Sequence, residues 1–476
     1  MGFGKKDAEA YIEKNSKIVT DVSDKIWELA EISLQENESA ALYVKVLKEL
    51  GFEVKENING IKNAFSASCG AGRPRIGILA EYDALSGLSQ KAGSTVCEPL
   101  TEGGNGHGCG HNMLGAGALA AAIGIKEYLE NNEIQGEVIL YGCPGEEAAA
   151  SKAFLARDKE WERLDAALTW HPDDTNEVVI GSSNACVQNL YSFKGTAAHA
   201  SGNPEMGRSA LDAVELMNIG VQFLREHMTD DARVHYAITN SGGISPNVVQ
   251  AKAEVLYFVR SKHISETLAL QERVDKIAEG AALMTGTAFE KKFIDGLSDT
   301  VANHELEKLL YKNFEETGVS SYTKEEHEFA DALYSTYDSA GYVPGLASTV
   351  DSAYAGKVLE IRERSGHAMN DFLLPLSNKD VFMAGSTDVG DVSWQCPTGQ
   401  IHVAAWPNGT PGHSWQNVSC GKTSIGHKAV ITAGKVLCGA AIDLLEQPEL
   451  IKKARAEFEY RTKEGYICPI PADAKC

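Results

Sequence analysis

Residues 104–117 read GNGHGCGHNMLGAG, and the placement of the rest of the chain turns on this run. It contains no acid, lysine or arginine and is rich in glycine. Cys109 and His111 sit two apart, His107 lies just upstream, and small residues lead into a helix-like stretch from Met113 to Glu130. A thiolate and an imidazole on a glycine-rich turn can reach one metal ion, because glycine lets the backbone fold tightly. A lone Cys-x-His pair is more often structural than a metal site, so its meaning depends on what the chain brings near it.

Outward from this run, apolar stretches end in chemistry. Upstream, Pro74 to Ala80 (PRIGILA) predicts a buried strand running into Glu81-Tyr82-Asp83. Downstream, Glu137 to Tyr141 (EVILY) leads into Gly142-Cys143-Pro144-Gly145-Glu146-Glu147, and Asp165 to Thr169 (DAALT) leads into Trp170-His171-Pro172. The C-terminal ends of strands are where open α/β sheets place ligands. A late loop, Gly409 to Trp415 (GTPGHSW), adds His413. Hydrolysing an amide near neutral pH needs an activated water, a polarised carbonyl and a proton shuttle. Two divalent ions supply the first two, and a carboxylate that does not ligate supplies the third. The candidate ligands are Cys109, His111, one of Glu146 and Glu147, His171 and His413, a mixed sulfur, nitrogen and oxygen set that permits zinc or manganese.

A chain of 476 residues predicts two or three domains, and 43% hydrophobic content is enough for real cores. The net charge of −22 argues against nucleic acid and anionic membrane surfaces as partners. No run of 18 apolar residues predicts a spanning helix. The opening MGFGKKDAEAYIEKN has no apolar core after its lysines and does not read as a secretory signal. Ten cysteines without framework spacing read as reduced thiols, which points to the cytoplasm. Residues 7–50 read as helices closed by Gly51, and His427 to Leu445 as a last apolar helix.

Residues 183–297 differ in character. Strands at 188–194, 248–260 and 288–293 alternate with helices at 208–228 and 264–284, a compact α+β insert whose helix pair and open sheet edge suit a dimer interface. The expected architecture is therefore α/β with two domains, a catalytic domain split over 1–182 and 298–476 around an insert at 183–297. Residues 318–380 read as irregular, with a helix over 351–363. Gly115-Ala116-Gly117 and Ala120 fit a loose dinucleotide fingerprint but lie inside the helix-like stretch, so small-residue packing accounts for them better. His327-Glu328 begins like a zinc-peptidase helix, but Asp331 stands where the second histidine should be, so it reads as surface.

Taken together, AEYDAL (80–85), GNGHGCGHN (104–112), GCPGEE (142–147), ALTWHP (167–172), GTAAHAS (195–201), STDVGDVSW (386–394) and GTPGHSWQ (409–416) resemble a known family. It is the metallopeptidase family that includes aminoacylases, carboxypeptidases G and auxin-conjugate amidohydrolases, and within it the aminobenzoyl-glutamate branch. The resemblance runs from about residue 10 to 445. It implies an exopeptidase-like catalytic domain, a mixed sheet flanked by helices, with an inserted α+β domain that dimerises and acts as a lid. It implies two divalent ions, Mn2+ or Zn2+, on Cys109, His111, Glu147, His171 and His413, with Glu146 as general base and Asp83 orienting the centre. His199 would reach a partner's site in a homodimer and steady the oxyanion, and Asn247 and Arg260 would grip substrate. The implied substrate is an N-acyl amino acid, p-aminobenzoyl-glutamate first, and a related second subunit is a possible partner. The alternatives are an aminoacylase or dipeptidase of other substrate, or a metal-binding homologue without turnover. Two departures stand out. Asn112 replaces the acid of a common CGHD, and Ala148-Ala149-Ala150 follows the glutamate pair where relatives have a small residue or glycines.

Overall fold

The computed structural model describes residues 3–339, 342, 352–377 and 379–476. Within the stretch expected to be irregular, residues 340, 341, 343–351 and 378 lie outside the described residues, including Asp351 at the start of the expected helix. The chain divides into two compact units. One comprises Met1–Ser182, Val301–Met383 and Val392–Tyr466; the other comprises Ser183–Thr300, Ala384–Asp391 and Ile467–Cys476. The second unit therefore takes two late segments, at 384–391 and 467–476, in addition to the stretch expected as an insert.

The first unit begins with helices α1 (Lys5–Lys14), α2 (Ser16–Leu29) and α3 (Asn37–Glu49). Gly51, at φ +81°, closes α3 in the left-handed conformation that glycine adopts at low cost. Strands β1 (Glu53–Glu56), β2 (Phe65–Ala71) and β3 (Arg75–Ala80) follow, then α4 (His111–Asn131), β4 (Gly136–Gly142), α5 (Ser151–Arg157), β5 (Ala166–Asp173) and the short β6 (Glu177–Val178). Strand β2 escapes a sequence reading, because FSASCGA is too small and polar for a hydropathy signal.

The second unit carries β7 (Ala185–Lys194), α6 (Ala210–Leu224), β8 (Arg233–Asn240), β9 (Lys252–Ser261), α7 (Ile264–Thr285) and β10 (Ala288–Leu297). Its sheet runs β10-β7-β9-β8 with antiparallel neighbours. Strand β8 escapes it too: Val234, Tyr236 and Ile238 alternate, but the run is short and most of its side chains are exposed. The two helices and the inward residues of the sheet, among them Tyr191, Phe193, Val214, Met217, Tyr257 and Val274, form the core of this unit.

The first unit resumes with α8 (His304–Thr317), α9 (Lys324–Tyr334) and α10 (Ser352–Ser365), then β11 (Thr398–Ala404), α11 (Trp415–Cys420), α12 (Ser424–Glu446) and α13 (Pro448–Arg461). Its sheet has the order β1-β2-β4-β3-β5-β11-β6. The central strands β4, β3, β5 and β11 are mutually parallel, and the edges are antiparallel. Parallel strands side by side bring their C-terminal ends to one edge of the sheet, so residues distant in number meet there.

Helix α4 explains the glycine-rich run. It is buried on all sides over most of its length, so it needs small residues where neighbours press in. A β-carbon on Gly117 would collide with the Trp170 indole, and one on Gly115 with Tyr43 and the Glu81 carbonyl. Trp170 Nε1 in turn donates to the Leu114 carbonyl at 2.8 Å. Gly117→Ala is expected to lower stability by about 1–3 kcal/mol, the usual cost of over-packing a filled core. Chemical denaturation measures it, and an unchanged midpoint would contradict the close approach of α4 to Trp170.

Candidate metal centre

The centre is built at one edge of the first unit's sheet. Strand β3 ends at Ala80 and delivers Glu81 and Asp83. Its neighbour β4 ends at Gly142 and delivers Glu146 and Glu147 after a turn through Gly145, which takes φ +74°. On the other side of β3, β5 carries His171 within the strand. Cys109 precedes α4, whose first residue is His111, and Gly110 between them takes φ +76°. His413 comes from the loop before α11, with φ +52° and a largely exposed side chain.

These residues converge. Cys109, His111 and His171 offer ligand atoms all within 4.8 Å of one another, as do Cys109, Glu147 and His413. The Cys109 sulfur is common to both groups and lies 3.4 Å from His171 Nε2. Glu147 Oε1 is 3.7 Å from His413 Nε2 and 4.0 Å from His111 Nε2. Glu146 Oε2 also stands 4.0 Å from His111 Nε2.

The surrounding hydrogen bonds aim the donors inward. His111 Nδ1 donates to Asp83 Oδ1 at 2.8 Å, which leaves Nε2 directed at the group. His171 Nδ1 donates to the Pro172 carbonyl at 2.7 Å, which leaves Nε2 facing Cys109. Two atoms of the set, His111 Nε2 and Glu147 Oε1, are buried without a hydrogen-bond partner. Buried polar atoms are rarely left this way. Together with a thiol, imidazoles and carboxylates, they fit a pair of divalent ions.

The electrostatics point the same way. Burial works against charge on His111, but the neighbouring Cys109 sulfur and the Asp83 carboxylate outweigh it and hold the imidazole well above its ordinary range, while burial pushes the Cys109 thiol itself well up. Burial raises Asp83, yet His111 pulls it down to about 2. Burial and the His111 charge push His171 down to about 4, so its imidazole is neutral at physiological pH and free to offer Nε2. Burial, then the Asp83 charge, raises Glu147. A cation at His111 Nε2 would take the place of the proton held there.

Asn112 has a role of its own. Its Nδ2 donates to Ser23 Oγ at 3.1 Å and to the Gly421 carbonyl at 3.0 Å, tying α4 to α2 and to the end of α11. An ionised aspartate could not donate to the Gly421 carbonyl, so the departure from CGHD belongs to this contact. His107 donates through Nε2 to the Ile26 carbonyl at 3.0 Å and fixes the loop rather than joining the donors.

His199, Asn247 and Arg260 belong to the second unit. His199 pairs with Val248 in an isolated bridge, and Ala200 N donates to the Asn247 carbonyl at 3.0 Å, so the backbone holds His199 and Asn247 together. His199 Nδ1 accepts from the backbone N–H groups of Ser201 and Gly202 at 3.2 and 3.0 Å. With Nδ1 accepting, Nε2 is the nitrogen of the exposed ring that can donate. Arg260, on β9, lies 4.1 Å over the Phe258 ring, and its buried Nε has no hydrogen-bond acceptor. Asp388 and Asp391 are also in the second unit, fully buried, with Asp391 accepting from Ser298 N at 3.0 Å.

Four residues that surround the donors have no role assigned from sequence. Glu81 Oε2 is 3.3 Å from His111 Nε2, and its Oε1 is 2.7 Å from the buried Lys152 Nζ. Glu36, fully buried at the start of α3, accepts from Gly145 N at 2.7 Å and so anchors the turn that carries Glu146. His402 lies opposite His171 in the β5–β11 register, with its ring 6.2 Å away. Burial opposes its charge, but Asp173 and Glu177, each 3.0 Å from Nδ1, hold it up at about 10. Only Glu81 has a visible signal, as the other acid at the end of β3.

A sequence model described as Peptidase family M20/M25/M40 matches residues 77–411. One of the subunits of p-aminobenzoyl-glutamate hydrolase from Escherichia coli (strain K12) is 44% identical over 97% of this chain and 96% of its own length. Among solved structures, the aminobenzoyl-glutamate utilization protein from Klebsiella pneumoniae has a TM-score of 0.58 at 16% identity, covering 91% of this chain and 98% of that one. The Bacillus subtilis YXEP protein, described as a dinuclear metal binding peptidase, has a TM-score of 0.56 at 18% identity, covering 91% and 99%. Both share the fold.

Glu36 gives this centre a pH signature. Burial, then the Asp83 charge, pushes its carboxyl up to about 8 from an ordinary 4.5. The folded chain then keeps a proton that the unfolded chain has released, so stability falls as pH rises from 4.5 to about 8. Glu36→Gln still accepts from Gly145 but cannot ionise. In urea titrations of the metal-free chain between pH 5 and 8, wild type is expected to lose about 2–4 kcal/mol more than the variant. Equal slopes would contradict a protonated Glu36.

Proposed function

The chain belongs to peptidase family M20/M25/M40 and is a metal-dependent hydrolase of amide bonds, and we propose that the bond it cuts is that of p-aminobenzoyl-glutamate, releasing p-aminobenzoate and glutamate. The observation that carries this reading is the convergence of Cys109, His111, Glu147, His171 and His413 on two overlapping donor groups, with Glu146 at their margin. The 44% identity to a p-aminobenzoyl-glutamate hydrolase subunit over nearly the full length of both chains favours this substrate over other N-acyl amino acids.

Bound to these donors, two divalent ions, manganese or zinc, would polarise the scissile carbonyl and acidify water. The chain's own groups do the rest. Asp83 takes the Nδ1 proton of His111 in a hydrogen bond and keeps Nε2 turned inward, and it also accepts from Glu147 N at 2.9 Å, which sets the glutamate turn. Glu146 takes a proton from the attacking water as the carbon–oxygen bond forms. It then gives that proton to the leaving nitrogen as the carbon–nitrogen bond breaks. His199, supplied by the second copy in a homodimer, donates its Nε2 proton to the developing oxyanion. Arg260, whose Nε lacks an acceptor, suits a substrate carboxylate, and Asn247 suits an amide or carboxylate oxygen.

The second unit is, on this reading, the dimerisation domain. Ile219 and Phe223 on α6 and Tyr236 and Ile238 on the edge strand β8 are exposed apolar residues that suit such an interface. A related second subunit fits the Escherichia coli enzyme, which has two differently named subunits, both similar to this chain. Among the described residues no helix is long and apolar enough to cross a membrane, and we place the enzyme in the cytoplasm on its cysteine pattern.

Glu146→Ala is expected to lower kcat about 10²–10⁴-fold with metal content unchanged, the loss typical of a missing general base. Hydrolysis of p-aminobenzoyl-glutamate with added manganese or zinc measures it. Equal activity in variant and wild type would remove the base assignment. Turnover of other N-acyl amino acids or dipeptides, with p-aminobenzoyl-glutamate untouched, would overturn the substrate and leave the chemistry standing.

A further inference from the structure

Beside the donors lies a buried ion pair. Lys152 on α5 and Glu81 just past β3 are both shut off from solvent, with Lys152 Nζ 2.7 Å from Glu81 Oε1. A charged lysine taken out of water is costly unless paired, so this contact fixes where the Glu81 carboxylate stands. The same pairing turns the other oxygen toward the metal donors. Glu81 Oε2 is 3.3 Å from His111 Nε2, the buried nitrogen without a hydrogen-bond partner. Glu81, His111 and Glu146 form a third group whose ligand atoms lie within 4.8 Å of one another.

Spacing distinguishes a shared ion from mere proximity. Two donors on one ion, with bonds of about 2.1 Å and angles between octahedral and tetrahedral, stand about 3.0–3.4 Å apart. The 3.3 Å between Glu81 Oε2 and His111 Nε2 falls in that window; the 3.7 Å between Glu147 Oε1 and His413 Nε2 lies just beyond it, and the 4.0 Å from His111 Nε2 to either Glu146 or Glu147 lies further out. We propose that Glu81 is a further carboxylate donor to the metal centre, on the ion held by His111, and that Lys152 is the positioning residue that fixes it there. The proposal rests on the dinuclear reading above.

It makes the two ions unequal. One ion would take Cys109, His111 and His171, which form one donor group, with Glu81 added through its closeness to His111, a closed and tight site. Cys109, Glu147 and His413 offer the other three, an open site with room for water and substrate. It also accounts for the buried lysine. With the Cys109 thiolate, the carboxylates of Glu81, Asp83, Glu146 and Glu147 bring five negative charges, and two divalent ions with Lys152 bring five positive.

The test combines stepwise manganese or zinc titration against a competing chelator with anomalous diffraction from crystals of the loaded wild type. Wild type is expected to bind two ions, one at least about tenfold more tightly, with a Glu81 oxygen within about 2.5 Å of an ion. Glu81→Gln is expected to weaken the tighter site at least about tenfold, since even residues that only support a ligand are worth 10–100-fold. The double variant Glu81→Gln with Lys152→Met removes both charges together and guards against a single variant that fails to fold. It is expected to show the same loss. Glu81 oxygens beyond about 3.5 Å from every ion, or a double variant with wild-type affinities at both sites, would overturn the proposal. A wild type that binds one ion would instead overturn the dinuclear reading, and the Glu81 distance to that ion would still decide this one.

Discussion

One buried carboxylate sets the geometry of the whole centre. Asp83 accepts from His111 Nδ1, from the Glu147 backbone N–H and from Ser33 Oγ, at 2.8, 2.9 and 2.8 Å. Those bonds reach three separate pieces of the first unit: the start of α4, the turn after β4 and the loop between α2 and α3. Asp83 itself is placed by β3, the strand that lies between β4 and β5. The orientation of an imidazole, the position of a glutamate turn and the register of a parallel sheet are therefore one constraint. Charge-assisted bonds of this kind, around a carboxylate shut off from solvent, are stronger than neutral ones and tolerate little displacement.

Burial sharpens the chemistry. Five acidic groups and a thiol crowd a region where Glu36, Glu81, Asp83 and His111 have almost no contact with solvent. Such a concentration of negative charge is unfavourable unless positive charge is gathered with it. The protein supplies some of that charge in Lys152, and more in the proton that Cys109 and Asp83 hold on His111. Divalent cations are the natural complement. The same crowding keeps His171 neutral and ready to ligate.

Much of this is legible in the sequence, for a definite reason. Cys109, His111, Glu146, Glu147 and His171 each stand beside an apolar strand or the small-residue helix, and strands buried on both faces read as near-continuous apolar runs. Strand β2 and helix α13 carry little apolar patterning, β8 alternates only over Val234, Tyr236 and Ile238, and α9 lies in a stretch that reads as irregular. His327, which reads as surface, stacks on His367 with ring centroids 3.8 Å apart. Lys152, Glu36 and His402 are hidden for another reason. Their importance lies in contacts with Glu81, Gly145 and the His171 strand, set by packing between elements far apart in the chain. Small residues at 115 and 117 look like a nucleotide fingerprint in one dimension, but in three Tyr43 and Trp170 fill the space beside them.

The sharing of one sulfur between two donor groups is the claim from which the catalytic account follows. Cys109 belongs both to the group with His111 and His171 and to the group with Glu147 and His413. The most direct measurement is the number of divalent ions bound per chain at saturation, in wild type and in Cys109→Ser, by elemental analysis after equilibrium dialysis. Two ions per wild-type chain are expected, with loss of affinity for both when the shared sulfur is removed. A single ion in wild type, or two ions held as tightly by Cys109→Ser, would contradict that claim.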